Sequence, residues 1–87
     1  MKASFKNLPV RATLNGEAEA VDLRQAVAEA VYQNAATFEQ HKLAHRIAES
    51  EEVELADDEA AYIKAVVKNY KFFIQKPILE ALGETFE

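Results

Sequence analysis

Two histidines, His41 and His45, lie four residues apart in a stretch with helical periodicity. On a helix this spacing places both imidazoles on one face, as in many zinc sites. The zinc-protease pattern needs a glutamate directly after the first histidine, and Lys42 occupies that position. Any other site would need further ligands, for which the sequence offers only carboxylates. We therefore predict two surface histidines and no metal site, with a metal site at His41 and His45 as the alternative. The spacing of His45 and Glu49 is that of a common ion pair on a helix surface.

Acidic residues are concentrated in one segment. The chain has 15 Asp and Glu against 10 Lys and Arg, a net charge of −5. Seven of the acids lie within residues 49–59, where no base occurs. Such runs are typical of solvated faces and helix starts, and this one lacks the central glycine of a calcium loop. The alternative is an acidic docking patch, with candidate residues Glu49, Glu51, Glu52 and Glu54.

No arrangement typical of a catalytic site is found. The chain has no cysteine, no glycine-rich phosphate loop and no nucleophile elbow, and its only serines are Ser4 and Ser50. Lys64, Lys68 and Lys71 lie near aromatic residues, as on nucleic-acid-binding surfaces, but they would meet few phosphates. We predict that the protein is not an enzyme, has no cofactor and does not bind nucleic acid.

Length and composition indicate one small domain. The 87 residues are 49% apolar and 29% charged, which is ordinary for a globular chain. No window approaches the roughly 18 consecutive apolar residues of a membrane span, and no signal-peptide core is found. We predict a single α+β domain over residues 1–87, an N-terminal β-hairpin with three to four helices around one core, in the cytoplasm and without membrane contact.

The hairpin is predicted over residues 3–21. Apolar and polar residues alternate from Leu8 to Leu14, and Asn15-Gly16 is a strong turn signal. A three-residue or bulged loop would set Leu14 opposite Ala18 and Ala12 opposite Ala20, so that apolar residues pair with each other. Residues 17–21 are rich in Ala and Glu, and either a strand or a helix start is compatible with them.

Periodicity and capping residues predict four helices, over residues 22–35, 37–50, 57–75 and 77–83. The predicted N-caps of the first three are Asp22, Thr37 and Asp57. Pro77 is predicted to interrupt the third helix and to start the last one, which Gly83 ends. Residues 53–55 alternate in a strand-like way and could pair with the hairpin.

The predicted third helix has a wide apolar face. At 100° per residue its core-facing residues span about 80°, and Tyr62, Val66 and Phe73 widen this arc to about 160°. A core-facing helix typically needs only somewhat more than ~100°. Either elements of the same chain cover this face from two sides, or the face is a subunit interface. The candidate interaction residues are Tyr62, Val66, Phe72 and Phe73.

Four stretches together resemble a loose group of short prophage-type proteins of bacteria: VDLR at 21–24, AVYQN at 30–34, LAHRI at 43–47 and VELADDE at 53–59. The resemblance covers residues 21–82. In that group a serine commonly follows the VEL as helix cap. Here Ala56 stands there, so that Asp57 would take the role. The resemblance implies a phage-derived gene, a bacterial cytoplasmic setting and no catalytic residues.

The sequence thus predicts a non-enzymatic interaction or assembly protein. It would work through the aromatic face of the third helix, with another protein or a second copy of itself as partner. The alternative is an acidic inhibitor that mimics nucleic acid and uses the acidic run from Glu49 to Glu59.

Overall fold

The computed structural model describes residues 1–86 and confirms the α+β class, with four α-helices and four short strands in the described residues. The strands are β1 (Lys2–Ala3), β2 (Leu8–Val10), β3 (Glu19–Val21) and β4 (Val53–Glu54). The helices are α1 (Arg24–Asn34), α2 (Phe38–Glu49), α3 (Asp57–Val66) and α4 (Phe72–Ala81). A 3₁₀ turn over Val67–Asn69 follows α3.

Strands β2 and β3 form an antiparallel hairpin in which Leu8 lies opposite Val21 and Val10 opposite Glu19. Residues 17–21, for which the sequence allows a strand or a helix start, therefore contain a strand at their C-terminal end, Glu19–Val21. The predicted pairing of Leu14 with Ala18 is wrong, because residues 11–18 form a long exposed loop. Only Leu8 and Val10 reach the core from this strand. The alternation beyond Val10 has no core to face, so it does not extend the strand.

Strands β1 and β4 form a second antiparallel pair, with Ala3 opposite Val53. The segment at 53–55 is extended as predicted, but its partner is the N-terminal strand and not β2 or β3. The amino terminus is fixed at the end of this pair, because the Met1 amine donates to the Leu55 carbonyl at 2.7 Å. Leu55 in turn donates its amide to the Met1 carbonyl.

A side chain caps α2 where the sequence predicts, but the predicted cap of α1 is wrong by one residue. Leu23, not Asp22, occupies the N-cap position of α1 and provides no side-chain cap, although the Asp22 carboxylate accepts from the Arg24 amide at 3.1 Å. The Thr37 hydroxyl accepts from the Gln40 amide at 3.2 Å. The Gln40 side chain accepts in return from the Ala36 amide. The predicted cap of α2 is thus confirmed.

Helix α3 begins differently from the prediction. Ala56 occupies its N-cap position and Asp57 is its first helical residue, so Asp57 is not the cap. Ala56 has no side-chain acceptor for the first turn. The Glu59 carboxylate supplies the other half of a capping box, because it accepts from the Ala56 amide at 2.9 Å. The three acids of the first turn also complement the helix dipole.

The predicted helix over residues 57–75 is broken. Helix α3 ends at Val66, and Tyr70 and Lys71 have extended backbone before α4 begins. The break turns the Tyr70 side chain to α1, where its hydroxyl donates to the Ala26 carbonyl at 2.6 Å. Gln75 donates to the Tyr70 carbonyl left free by the break. The break also lets α4 fold back against β2.

Pro77 is not the start of the last helix. It is the sixth residue of α4, which already runs from Phe72. Since proline has no amide hydrogen, the Phe73 carbonyl lacks its usual partner four residues on. Helix α4 ends at Ala81, and Gly83, which the sequence predicts as the stop, follows with a positive φ of 94°. Glu84 donates its amide to the Leu79 carbonyl in the hydrogen-bonding pattern typical of a glycine C-cap.

One cluster of apolar side chains forms the core, and every helix and strand contributes to it. Phe5, in the connection between β1 and β2, lies at its centre together with Val27, Ile63 and Ile78. Within residues 1–86 no polar or charged residue is buried. The core is therefore entirely apolar, and polar interactions lie at its margin.

Glu59 joins α3 to α2 at that margin and makes stability depend on pH. Partial burial raises the pKa of Glu59, but its bonds with the Ala56 amide and the Arg46 guanidinium lower the pKa more, to below 4.5. Because the pKa of Glu59 is lower in the folded state, its ionised carboxylate stabilises the fold at pH values above the pKa of the unfolded state. This stabilisation is lost as the pH falls through the pKa of the folded state.

We therefore expect Glu59→Gln to lower the free energy of unfolding by about 1 kcal/mol at neutral pH. The difference from the unmodified protein should shrink as the pH falls below about 4. Urea unfolding at several pH values measures both quantities. Glu52→Gln is the matched control, since this exposed carboxylate lies 3.8 Å from the Lys2 amine and should contribute little. A Glu59→Gln difference that stays constant down to about pH 3 would contradict this expectation.

Candidate interaction surface

Helix α4 begins with two exposed phenylalanines. Phe72 is 53% exposed and Phe73 is 40% exposed, whereas Ile78 and Leu79 on the same helix are buried. The break before α4 decides this arrangement, because it sets the rotation at which the new helix meets the core. Phe72 also packs edge-on against Phe86, with ring centroids 5.4 Å apart. Its ring is therefore held in place at the surface.

A groove of about 430 Å³ runs between α4 and the β2–β3 hairpin. Its apolar lining comes from both phenylalanines and two prolines, and its charged lining from two bases and one acid. We call it the Phe72–Phe73 surface, defined by Pro9, Arg11, Ala18, Phe72, Phe73, Lys76, Pro77 and Glu80. Because Phe72, Lys76 and Glu80 are spaced by four residues, they share the outer side of α4.

Two of the four cations that have no ion-pair partner among residues 1–86 line this groove. Six of the ten lysines and arginines lie within 4.0 Å of a carboxylate: Lys2, Lys6, Arg24, Lys42, Arg46 and Lys64. Among residues 1–86 the other four have no such partner. Arg11 and Lys76 line the groove, and Lys68 and Lys71 lie in the turn that leads into Phe72. The lining of the groove therefore has two bases against one acid, Glu80, although the chain is negative overall.

The four predicted interaction residues do not form one face. Val66 is buried in the core, and Tyr62 is half-buried against it. The Tyr62 hydroxyl donates to the Val31 carbonyl at 3.4 Å, so α1 covers this side of α3. Only Phe72 and Phe73 are exposed, and both lie beyond the break. The predicted 160° apolar arc depends on a continuous helix and does not exist.

The predicted acidic patch is largely paired with cations of its own chain. The Lys6 amine binds the Glu51 carboxylate, and this bond lowers the pKa of Glu51. Lys2 lies 3.8 Å from the Glu52 carboxylate, and the amino terminus lies 3.7 Å from that of Glu54. These pairs join the N-terminal segment to β4. Glu49 has no ion-pair partner in the described part of the chain.

The two histidines are at the surface, but their partners differ from the prediction. The Nε2 atoms of His41 and His45 lie 3.3 Å apart, and within residues 1–86 no ion pair joins His45 to Glu49. The Tyr32 ring packs on His41 with a centroid distance of 5.1 Å, and the Phe38 ring stacks beside it at 6.5 Å. We call His41, His45, Tyr32 and Phe38 the histidine patch. In the described residues, no three potential metal ligands lie close enough to form a cluster.

Sequence reasoning missed Tyr32 and Phe38 as surface aromatics. Tyr32 is 52% exposed at the end of α1, and Phe38 is 70% exposed as the first residue of α2. The sequence feature that could have predicted their exposure is their position beside the α1–α2 connection, because a large side chain near a helix end has fewer neighbours to cover it. Their contact with the histidines depends on the packing of α1 against α2.

A further groove of about 450 Å³ lies between the N-termini of α2 and α3. It is lined by Thr37, Gln40 and Glu59, among other residues. A side-chain oxygen of each of these three accepts a hydrogen bond from a backbone amide near the start of its own helix. Throughout residues 1–86 no buried side-chain nitrogen or oxygen lacks a hydrogen-bond partner. This groove therefore offers no polar group that needs a ligand.

Comparison with family models, with curated proteins and with solved structures found no significant match to this chain. None of the helices in residues 1–86 combines the length and the apolar character needed to cross a bilayer. The functional interpretation therefore depends on the geometry and charge of the two surfaces, the Phe72–Phe73 surface and the histidine patch.

Proposed function

We propose that the protein is a non-enzymatic interaction module that binds an acidic, partly apolar segment of another protein at the Phe72–Phe73 surface. One observation carries the proposal: Arg11 and Lys76, which have no ion-pair partner in residues 1–86, line a groove that contains two exposed phenylalanines. Carboxylates of the partner would meet Arg11 and Lys76, and its apolar side chains would pack on the rings.

The lining of the groove suits this kind of ligand. Exposed aromatic residues next to arginine are typical of the residues that dominate binding energy at protein interfaces. Pro9 and Pro77 stiffen the two walls, and Phe72 is already packed on Phe86, so little side-chain freedom is lost on binding. A volume of about 430 Å³ lies at the lower end of the range for ligand pockets, with space for a few side chains.

A second copy of the chain is a poor partner for this surface. In a twofold dimer the two copies of the patch bring together four bases, Arg11 and Lys76 of each copy, against only two acids, Glu80 of each copy. Like charges that face each other across an interface cost free energy. An acidic partner instead gains from the local positive charge, and its association would be faster at low salt.

The acidic-inhibitor alternative receives less support from the structure. Glu51, Glu52 and Glu54 each lie beside a cation of the same chain, which reduces the field that a nucleic-acid mimic needs. The proposal also includes a phage-derived gene and a bacterial cytoplasmic setting. These two parts rest only on the resemblance to prophage-type proteins.

Selection from a displayed library of random twelve-residue peptides tests the proposed function. We expect enriched peptides to combine Asp or Glu with Phe, Leu or Trp. Phe72→Ser/Phe73→Ser should weaken the binding of a selected peptide at least tenfold, since both rings are exposed and the fold should persist. Phe38→Ser is the matched control, because it removes an exposed phenylalanine from the other surface and should leave the affinity unchanged.

Three outcomes would overturn the proposal. The selected peptides could lack acidic residues, or the double variant could bind them as tightly as the unmodified protein. Tighter binding of a thymidine oligonucleotide than of any selected peptide would indicate a single-strand nucleic-acid surface instead. Circular dichroism of the double variant separates loss of binding from loss of fold.

A further inference from the structure

We propose that His41 and His45 form one half of a zinc site and that the same two residues of a second copy complete it. Two imidazole nitrogens bound to one zinc ion at 2.0–2.1 Å, at a tetrahedral angle, lie roughly 3.3 Å apart. The Nε2 atoms of His41 and His45 are separated by 3.3 Å. The two side chains therefore have the spacing that the ion requires before it binds.

Without a metal ion, the same geometry allows a hydrogen bond between the two imidazole rings. At 3.3 Å one Nε2–H can donate a hydrogen bond to the other Nε2. Zinc binding would require both rings to be neutral, with their protons on Nδ1, so that both Nε2 lone pairs are available. The ion would then replace the shared proton between the rings.

One chain leaves this site incomplete. Zinc sites held only by the protein use four ligands, and residues 1–86 contain no cluster of three candidates. A second copy related by a twofold axis through the ion would supply two more imidazoles. Such an interface is closed and self-complementary, so it would stop at a dimer.

The surroundings of the histidines favour a second copy over water as the source of the missing ligands. Tyr32 and Phe38 flank the pair and expose large apolar rings that a partner would cover. Shallow grooves of about 300 and 530 Å³ lie on either side of Tyr32, one lined by His45 and the other by His41. Lys42 pairs with Glu39 at 3.4 Å. Glu29 lines the groove beside His45, and Glu49 lies one turn on, so the positive charge of a zinc ion would offset the carboxylates that two copies bring together here.

Imidazole ligands without thiolates suit zinc, copper and nickel, and the tetrahedral spacing favours zinc among them. Magnesium prefers oxygen ligands in octahedral geometry and should not bind. The proposal does not depend on the Phe72–Phe73 surface, which lies on other elements of the chain.

Titration with zinc chloride, followed by calorimetry and light scattering, tests the proposal on the purified protein. We expect half a zinc ion per chain and a rise in mass to twice 9.7 kDa, with no change on addition of magnesium. His45→Gln should raise the zinc concentration for half-dimerisation at least tenfold, because one of the two ligands of each copy is lost. Glu49→Gln, one turn away, should behave as the unmodified protein, and so should Phe72→Ser/Phe73→Ser.

Binding of one zinc ion per chain without a change of mass would overturn the shared site. So would the absence of zinc binding at millimolar concentration. A zinc-dependent dimer that persists in both His41→Gln and His45→Gln would show that other residues hold the ion. Failure of the peptide selection would leave all of these results unaffected.

Discussion

Phe5→Ala should lower the free energy of unfolding by about 3–5 kcal/mol, the loss expected for a buried phenylalanine. Phe5 is 1% exposed and lies in the connection between β1 and β2. Its carbonyl accepts from the Leu23 amide at 2.8 Å, so the same residue also holds the start of α1. Two-stranded sheets are marginal by themselves, and Phe5 lies in the connection that joins the two sheets, with its side chain in the common core.

A domain of this size has a total stability of roughly 4–13 kcal/mol. Phe5→Ala should therefore leave the protein partly unfolded or close to it at 37 °C. Urea unfolding followed by circular dichroism measures the loss. Phe38→Ala is the control, since its 70% exposed ring should cost less than about 0.5 kcal/mol. A loss below about 1 kcal/mol for Phe5→Ala would mean that the connection does not pack in the core as described.

Tyr70→Ala should cost about 3 kcal/mol, the second largest effect. Tyr70 packs against the core from the break between α3 and α4, and its hydroxyl donates to the Ala26 carbonyl at 2.6 Å. Burial raises the pKa of Tyr70, and the Glu29 carboxylate raises it further, so the hydroxyl stays protonated as a donor. Loss of this side chain would remove the contact that holds the break against α1.

Tyr70→Phe separates the hydrogen bond from the packing. It keeps the ring and should cost only about 1 kcal/mol, which is the usual net value of one hydrogen bond. Tyr32→Ala is the matched control, because Tyr32 is half-exposed and its hydroxyl forms no hydrogen bond within residues 1–86. Equal losses for Tyr70→Phe and Tyr70→Ala would contradict this division, and urea unfolding of the three variants distinguishes them.

Local signals predicted the first two helices closely. The cap of α2 depends on Thr37 and Gln40, three residues apart in the sequence, and the spacing of such a cap is visible without a structure. Gly83 ended α4 as expected for the same reason. The hairpin was predicted in the right region but in the wrong register. The apolar alternation continues to Leu14, and nothing local shows that the core ends at Val10.

The break between α3 and α4 could not be predicted from periodicity. Residues 57–75 keep a helical pattern throughout, and Val66, Val67 and Asn69 are only weak helix formers. The contact that accompanies the break joins residues 44 positions apart in the chain, the Tyr70 hydroxyl and the Ala26 carbonyl, and no local pattern shows it. The same limitation explains the misplaced interface, since the cover of Tyr62 and Val66 by α1 is a tertiary contact.

The cations of the Phe72–Phe73 surface were missed for a related reason. Which lysines and arginines lack an ion-pair partner depends on pairs between distant segments, such as Lys6 with Glu51 and Arg46 with Glu59. The sequence showed an acidic surplus at 49–59 but not that N-terminal cations neutralise much of it. Phe72 and Phe73 were named correctly as exposed candidates, although for a helix face that does not exist.

We propose that the groove between α4 and the hairpin binds an acidic segment of another protein. Titration of the ¹⁵N-labelled protein with a selected acidic peptide, followed by amide chemical shifts, locates the bound peptide on the structure. We expect the shift changes to concentrate at residues 10–18 and 72–80 and to shrink in Phe72→Ser/Phe73→Ser. Changes centred on residues 49–54 or on the histidine patch, with residues 72–80 unaffected, would contradict it.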